Sequence, residues 1–397
     1  MLHKIIKENG GTQFMDYVAI DLGASNTRYI SIDRKVNFVD NSMLFIEEGM
    51  KMQALDRIDD TIENNLELII TREGAESKYF ANHTHVYVGE LTARSNKNIE
   101  RVNQNDHKVR QRASYVSVVL AITLSKLKNT NIGERINLFQ LLPPSEVASA
   151  TSKETFIETI KGRYKVELPR IGENGTVVEF EISDVYCCEE GRMAIIQFLL
   201  DDNHPDNRTK YGNRRIMSID VGQSTTDVCI FENGKFIERS GNTLPVGCYN
   251  CIVSIVKALE SMGKRVTYND ASRCLIDGRR PNGATRKPIP EIVNDAKTFL
   301  ANDIISRLDG YFTDIGISLD SIEYVVVSGG GSMPSSYIDE QTGKPVIVAE
   351  SITTHIANAI QTRCDGIEVV HIEDDPRTAN IRGLGLWAVV NNGEIKH

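Results

Sequence analysis

Two short stretches of this chain carry residue types suited to holding phosphate. Asp21-Leu-Gly-Ala-Ser-Asn-Thr27 and Asp220-Val-Gly-Gln-Ser-Thr-Thr226 share an Asp, a Gly two residues on, and a run of small polar residues. A tight turn of this kind brings backbone N–H groups close to an anion, each supplying partial positive charge without side-chain bulk. Gly23, Ser25, Asn26 and Thr27 would form one cradle; Gly222, Ser224, Thr225 and Thr226 would form the other. A polyphosphate would repel the carboxylates of Asp21 and Asp220 unless a cation stood between, so this pair points to Mg2+ held partly through water. A third stretch, Tyr324-Val-Val-Val-Ser-Gly-Gly-Gly-Ser-Met333, runs a hydrophobic strand into three glycines. Bare backbone lets a flat ring lie against it, which makes Ser328, Gly329, Gly330, Gly331 and Met333 candidate nucleoside contacts. Taken singly, each stretch has a plain structural explanation, an Asp capping its own turn or a Gly-rich bend. Together they describe a site for a nucleoside polyphosphate.

The elements that must position these residues follow from the apolar pattern. Residues 17–20 and 29–32 read as strands on either side of the first turn, and 216–219 with 227–231 flank the second in the same way. A strand-turn-strand unit recurring near the start of each half suggests two similarly built lobes, closing their loops on one polyphosphate from both sides. Residues 113–127 have the spacing of a buried helix, and 136–142 read as a strand stopped by Pro143-Pro144. Helices are expected over 153–161 and 192–200, with a ribbon formed by 165–168 and 177–182. The polar stretch 201–210 is the best domain boundary. Leu244-Pro-Val-Gly-Cys-Tyr-Asn250 leads into a helix, with Gly247 allowing close backbone approach. Residues 253–262 and 296–308 read as amphipathic core helices of the second lobe; the helix around Lys297 is placed to come near a nucleotide, with no base-contacting residue assigned on it. The expected plan is a leader over 1–15, then lobe I over 16–212 with an inserted subdomain at about 35–105, completed by 375–397. Lobe II covers 213–374, with a small subdomain at about 245–300.

Composition bounds the class. A chain of 397 residues is too long for one ordinary core, so two lobes is the first expectation. Apolar residues at 41% and charged residues at 25% suit a globular protein, and a net charge of -9 argues against dominant nonspecific binding to nucleic acid or anionic membrane. A local basic cluster remains at Lys97, Arg101, Lys108, Arg110 and Arg112, read as a solvated charged segment. The seven cysteines are an odd number at low density, against a disulfide framework. Cys248-x-x-Cys251 has metal-site spacing, but no second pair completes a tetrahedral set. The polar start and the absence of an 18-residue apolar run point to the cytoplasm, with no direct membrane binding.

The three stretches, with Thr378-Ala-Asn-Ile-Arg-Gly-Leu-Gly385, resemble in order the phosphate, adenosine and connecting motifs of the superfamily of actin, chaperone ATPases and sugar kinases. The resemblance spans residues 16 to 390 and implies an α/β, two-lobed actin-like (ribonuclease H-like) fold with a nucleotide cleft between the lobes. Residues 156–193, with Ala379-Asn-Ile-Arg-Gly383, are similar to the plasmid-segregation actins of the ParM type. That subgroup usually shows Pro-Glu before the last helix of the first lobe, where this chain has Glu189-Glu190-Gly191. Both glutamates are therefore candidates for the catalytic base, and aligning Glu189 with the Pro favours Glu190. The resemblance implies ATP hydrolysis, with GTP use alongside left open, and nucleotide-dependent filaments. Asp21 and Asp220 would hold Mg2+, and Glu190 would polarise the attacking water. The implied partners are further copies of the chain and a small DNA-binding adaptor on a centromere-like DNA site.

Three other classes compete. A small-molecule kinase of the same superfamily would need a sugar-binding cluster, which the sequence lacks. A chaperone ATPase would carry a peptide-binding domain after Arg382-Gly383. A nucleotide-binding cytoskeletal scaffold with little hydrolysis would often show a terminal amphipathic helix, and neither 1–11 nor 391–397 reads as one.

Overall fold

A computed structural model describes residues 16–23, 26–47, 61–62, 66–74, 76–93, 99–102, 106–280, 287–372 and 375–392. The leader, Ser25 and Lys97 lie outside these. The chain divides into two compact units, one of residues 1–189 with 381–397 and the other of residues 190–380.

In the first unit one mixed sheet carries nine strands. They are β1 (Asp16–Leu22), β2 (Asn26–Ile30), β3 (Asn37–Asp40), β4 (Met43–Phe45) and β5 (Glu67–Glu73). β6 (His83–Val88), β7 (Arg135–Leu142), β8 (Gly162–Leu168) and β9 (Thr176–Glu189) complete the set. Their order is β3-β2-β1-β7-β9-β8-β5-β6-β4, with β1, β7 and β9 mutually parallel. The stretch read as an inserted subdomain therefore extends this sheet, because β5 pairs with β8 along Ile69–Glu73. Helix α1 (Arg112–Lys128) is buried all the way round from Ala113 to Ser125, as its unbroken apolar run requires. Two of its hydroxyls are satisfied within the helix, Thr123 donating to the Val119 carbonyl and Ser125 to that of Ala121, each at 2.8 Å, while Ser117 reaches Asn41 Oδ1 at 3.3 Å. Helix α2 (Ala150–Ile160) adds Phe156, whose ring stacks on Tyr115 at 5.4 Å. The supposed basic cluster does not act as one face: Lys108 is buried, Arg101 donates to Ser42 and Arg112 pairs with Glu100.

The second unit holds a six-stranded sheet built from β10 (Arg215–Val221), β11 (Thr226–Glu232), β12 (Lys235–Phe236), β13 (Asn242–Leu244), β14 (Tyr324–Ser328) and β17 (Glu368–Val370). β10, β14 and β17 run parallel. A separate two-stranded ribbon pairs β15 (Ser335–Ile338) with β16 (Pro345–Ala349). Helix α3 (Arg192–Leu200) packs Ile195, Phe198 and Leu199 with Tyr211, Ile216, Phe231 and Val326. The two compact units divide at Glu189/Glu190, and the polar stretch 201–210 lies within the second. Helices α4 (Cys248–Ser261), α5 (Tyr268–Asp277), α6 (Pro290–Asp314) and α7 (Ile352–Gln361) supply the main core with Ile255, Leu300, Ile304 and Ile356. No helix among the described residues is long and apolar enough to cross a membrane.

Candidate functional site

The two hairpins have one geometry. In the first unit, Asp21 pairs with Arg28 and Leu22 with Thr27; in the second, Asp220 pairs with Asp227 and Val221 with Thr226. Each turn is closed in the same way, the N–H of Gly23 donating to the Asn26 carbonyl at 3.2 Å and that of Gly222 to the Thr225 carbonyl at 2.9 Å. Thr27 and Thr226 are both fully buried. Thr27 donates to Asn41 Oδ1 at 2.6 Å, and Asn41 Nδ2 returns to the Gly23 carbonyl at 2.5 Å. Thr226 donates to the Val246 carbonyl at 2.8 Å. These two threonines thus brace their turns from within; Asn26 in the first turn and Gln223 in the second are exposed.

Charge separates the two copies. Directly opposed residues in an antiparallel pair share a face. On that face Asp21 meets Arg28, whose guanidinium donates to its Oδ2 at 2.7 Å. Asp220 instead meets a second carboxylate, that of Asp227. In the sequence Asp227 is only the first residue of a strand; the register, Asp plus seven across a tight turn, is the signal that marks it.

Glu190 joins this pair. Among the described residues, Glu190, Asp220 and Asp227 offer carboxylate oxygens all within 4.8 Å of one another. They are 7%, 8% and 2% exposed. The position of Glu190 is set by the junction it occupies: β9 ends at Glu189, and Gly191 caps α3. Asn380 Oδ1 accepts from the N–H groups of Gly191 and Ala194 at 3.0 Å each. The Glu190 carbonyl accepts from the Cys229 thiol at 3.4 Å. Of the two candidate glutamates, it is Glu190 that shares a location with Asp220. Ser328 Oγ donates to Asp220 Oδ1 at 2.6 Å, and Thr243 Oγ1 to Asp227 Oδ1 at 2.7 Å. Both aspartates are therefore aimed by hydroxyls. Carboxylates this close repel one another wherever two are ionised, and a cation among them relieves that repulsion. The donor set is all oxygen, which suits a hard divalent cation.

The glycine-rich bends pack against this centre. Gly329 has φ +89°, in the left-handed region, and a Cβ there would lie 2.5 Å from the Val221 carbonyl oxygen and 2.9 Å from Asp220 Oδ1. A Cβ on Gly247 would stand 2.8 Å from the carbonyl oxygens of Gly222 and Gln223. With no Cβ in the way, the first turn of α4 reaches the loop, Cys248 N–H donating to the Gly222 carbonyl at 3.1 Å and Tyr249 N–H to that of Gln223 at 2.7 Å. Gly247 thus serves close backbone approach, toward the turn itself. Gly331 packs on Val221, while Gly330 faces open space.

Past these glycines the chain enters a cavity of about 500 Å³ at the C-terminal ends of β14 and β17. Its lining includes Val327, Ser332, Met333, Glu350, Thr354, His371 and Asp375. The carboxyl ends of parallel strands are the usual ligand side of an open α/β sheet, and this volume suits a small organic molecule. Of the five candidate nucleoside contacts only Met333 lines the cavity; Ser328 is turned to Asp220. The structure therefore groups Glu190, Asp220, Gly222, Ser328 and Gly329 around the carboxylates of the second unit. Asp21, Gly23, Asn26 and Thr27 form the corresponding turn of the first unit.

Comparison with known proteins fits this architecture. Residues 218–340 match the family model described as archaeal actin homologue MreB-like, C-terminal. Among curated proteins no sequence matches the chain. Among solved structures it is similar to a pCBH ParM non-polymerisable quadruple mutant, with 20% identity, TM-score 0.62, and 94% of this chain and 99% of that one covered. It is similar to Ta0583, an archaeal actin homologue, in complex with ADP, with 16% identity, TM-score 0.62, and 94% and 99% covered. A 15-stranded ParM filament from Clostridium botulinum matches at 18% identity and TM-score 0.61, covering 96% of this chain and 100% of that one. The chain has the two-domain actin-like fold, that of ParM and of the archaeal actin homologues.

Proposed function

We propose that this chain is a nucleotide-dependent, filament-forming ATPase, and that its filament drives plasmid DNA segregation. The observation that carries the reading is the meeting of Glu190, Asp220 and Asp227 at the end of a phosphate-type turn. The likeness to an ADP-bound archaeal actin homologue and to a ParM filament supports nucleotide use and self-association.

In this reading the turns that follow Gly222 and Gly23 hold the phosphates through backbone N–H groups other than the two that close them, and the cavity beyond Met333 takes the nucleoside, adenosine or guanosine. Asp220 and Asp21 would hold Mg2+, with Asp227 beside them; the ion bound there would supply charge neutralisation to the terminal phosphates. Glu190 orients a water and accepts its proton, directly or through a second water. Little covalent chemistry is asked of the protein, so positioning carries most of the rate. Nucleotide favours assembly by binding the polymer-competent conformation more tightly, and head-to-tail contacts between copies propagate without closing. A small adaptor on a centromere-like DNA site would load the filament in the cytoplasm.

Light scattering and negative-stain microscopy with ATP, ADP and a non-hydrolysable analogue test the proposal. Polymer with ATP and none without nucleotide is expected. Glu190→Ala should slow phosphate release at least about 100-fold while filaments form and persist. Monomers indifferent to nucleotide at high protein concentration would overturn it.

A further inference from the structure

Behind the cavity of the second unit lies a buried lysine. Lys297, on α6, is 2% exposed. Its Nζ donates to the Glu350 carbonyl at 2.6 Å, to Ser335 Oγ at 2.9 Å and to the Met333 carbonyl at 3.4 Å. An ammonium has three N–H donors, so these acceptors use them all. The three acceptors share a location in the fold. Ser335 opens β15, Glu350 follows the last residue of β16, and Met333 lies just ahead of both. One side chain therefore grips both feet of the ribbon and the loop that leads into it. Met333 and Glu350 also line the cavity. Ser335 passes the contact onward, its Oγ donating to the Leu275 carbonyl of α5 at 2.5 Å.

We propose that Lys297 is a positioning residue for the nucleoside, fixing Met333 and Glu350 as parts of the cavity wall without touching the ligand. The proposal rests on the nucleotide-binding reading above. Taking an ammonium out of water is costly, and three neutral acceptors repay only part of that cost. Burial accordingly pulls the Lys297 pKa down from 10.5 to about 8. A methionine would fill much the same space with no charge to desolvate. What it could not do is hold two backbone carbonyls and a hydroxyl at one point, and that ordering is what the buried charge brings. Perturbed lysines of this kind concentrate at functional sites.

The test uses the full chain and its Lys297→Met and Ser335→Ala variants, with a fluorescent ATP analogue as probe. Lys297→Met should bind the analogue about tenfold more weakly and raise KM for ATP with kcat at saturation within about twofold. Its melting temperature at pH 7 should be unchanged or higher, and amide exchange over residues 333–350 should quicken. Ser335→Ala, which removes one acceptor, should weaken binding about threefold. A lower melting temperature with unchanged affinity would assign Lys297 a merely structural role and overturn the proposal. Failure of the wild-type chain to bind the analogue would sink the nucleotide reading and, with it, the role toward the nucleoside. Unchanged exchange over 333–350 in Lys297→Met would overturn the proposal whether or not nucleotide binds.

Discussion

Replacing Asp227 by Asn should stabilise the metal-free protein and blunt its response to Mg2+. The three carboxylates of Glu190, Asp220 and Asp227 lie within 4.8 Å of one another. At an effective dielectric constant of about 20, each like-charged pair at that distance costs about 3.5 kcal/mol. Removing one charge removes two of the three pairs, or about 7 kcal/mol if all were ionised. The cluster has an escape that caps this figure. Binding a proton at pH 7 costs about 4 kcal/mol for a carboxyl of ordinary pKa, and relaxation lowers the sum further. A gain of about 1–3 kcal/mol is therefore expected in EDTA, since the asparagine side chain keeps an oxygen for the hydroxyl of Thr243. For a unit of this size that is a rise in melting temperature of about 3–9 °C. Millimolar MgCl2 should then raise the melting temperature of the wild type by more than twice its effect on Asp227→Asn, because the variant has less repulsion for a cation to relieve. Differential scanning calorimetry in EDTA and in MgCl2 reads both numbers. A fall in melting temperature in EDTA, with an undiminished response to Mg2+, would refute the argument that these three charges share one field.

Two further outcomes follow from the same unit. Gly247→Ala puts a Cβ 2.8 Å from two carbonyl oxygens of the phosphate-type turn, so α4 must back away. A loss of about 2–4 kcal/mol in urea unfolding, together with weaker nucleotide binding, is expected. The second concerns pH. The folded pKa of Lys297, about 8, lies below its ordinary 10.5, so between these values the unfolded chain binds more protons. Stability therefore rises with pH across that window, by at most about 1.4 kcal/mol per unit, and the burial cost is felt in full below it. Besides burial, the groups acting on this lysine are the thiols of Cys251 and Cys248, both pushed up by burial, and the lysine in turn helps to push His355 down. Denaturant titrations from pH 7 to 10 should show that Lys297→Met loses this slope.

The hairpins were legible because they are local. Asp21 with Thr27, and Asp220 with Thr226, announce a strand, a tight turn and a strand within a dozen residues, and the apolar runs of α1 and β14 needed no distant information. Glu190 could be narrowed to one of two residues only through the family resemblance of the stretch around it. What stayed hidden depends on pairing across the chain. β5 joins the main sheet through β8, about ninety residues later, so the stretch from 35 to 105 read as a separate insert. Ser328 looked like a nucleoside contact because its partner, Asp220, is far off in sequence. Lys297 was visible only as a charge on an amphipathic helix, since all three of its acceptors come from a later ribbon. That ribbon went unread: four- and five-residue strands around the polar bend 339–344 leave too little periodicity to detect.

The matched hairpins carry one more implication. A duplicated scaffold need not duplicate its electrical demand. In the first, Asp21 arrives with a guanidinium attached. In the second, three carboxylates crowd together, and a cation would relieve their mutual repulsion. A chelator should therefore act most on the unit that holds Glu190, and less on the turn where Arg28 already answers Asp21. Arg28→Asp would give the first hairpin the facing pair of carboxylates that the second already has.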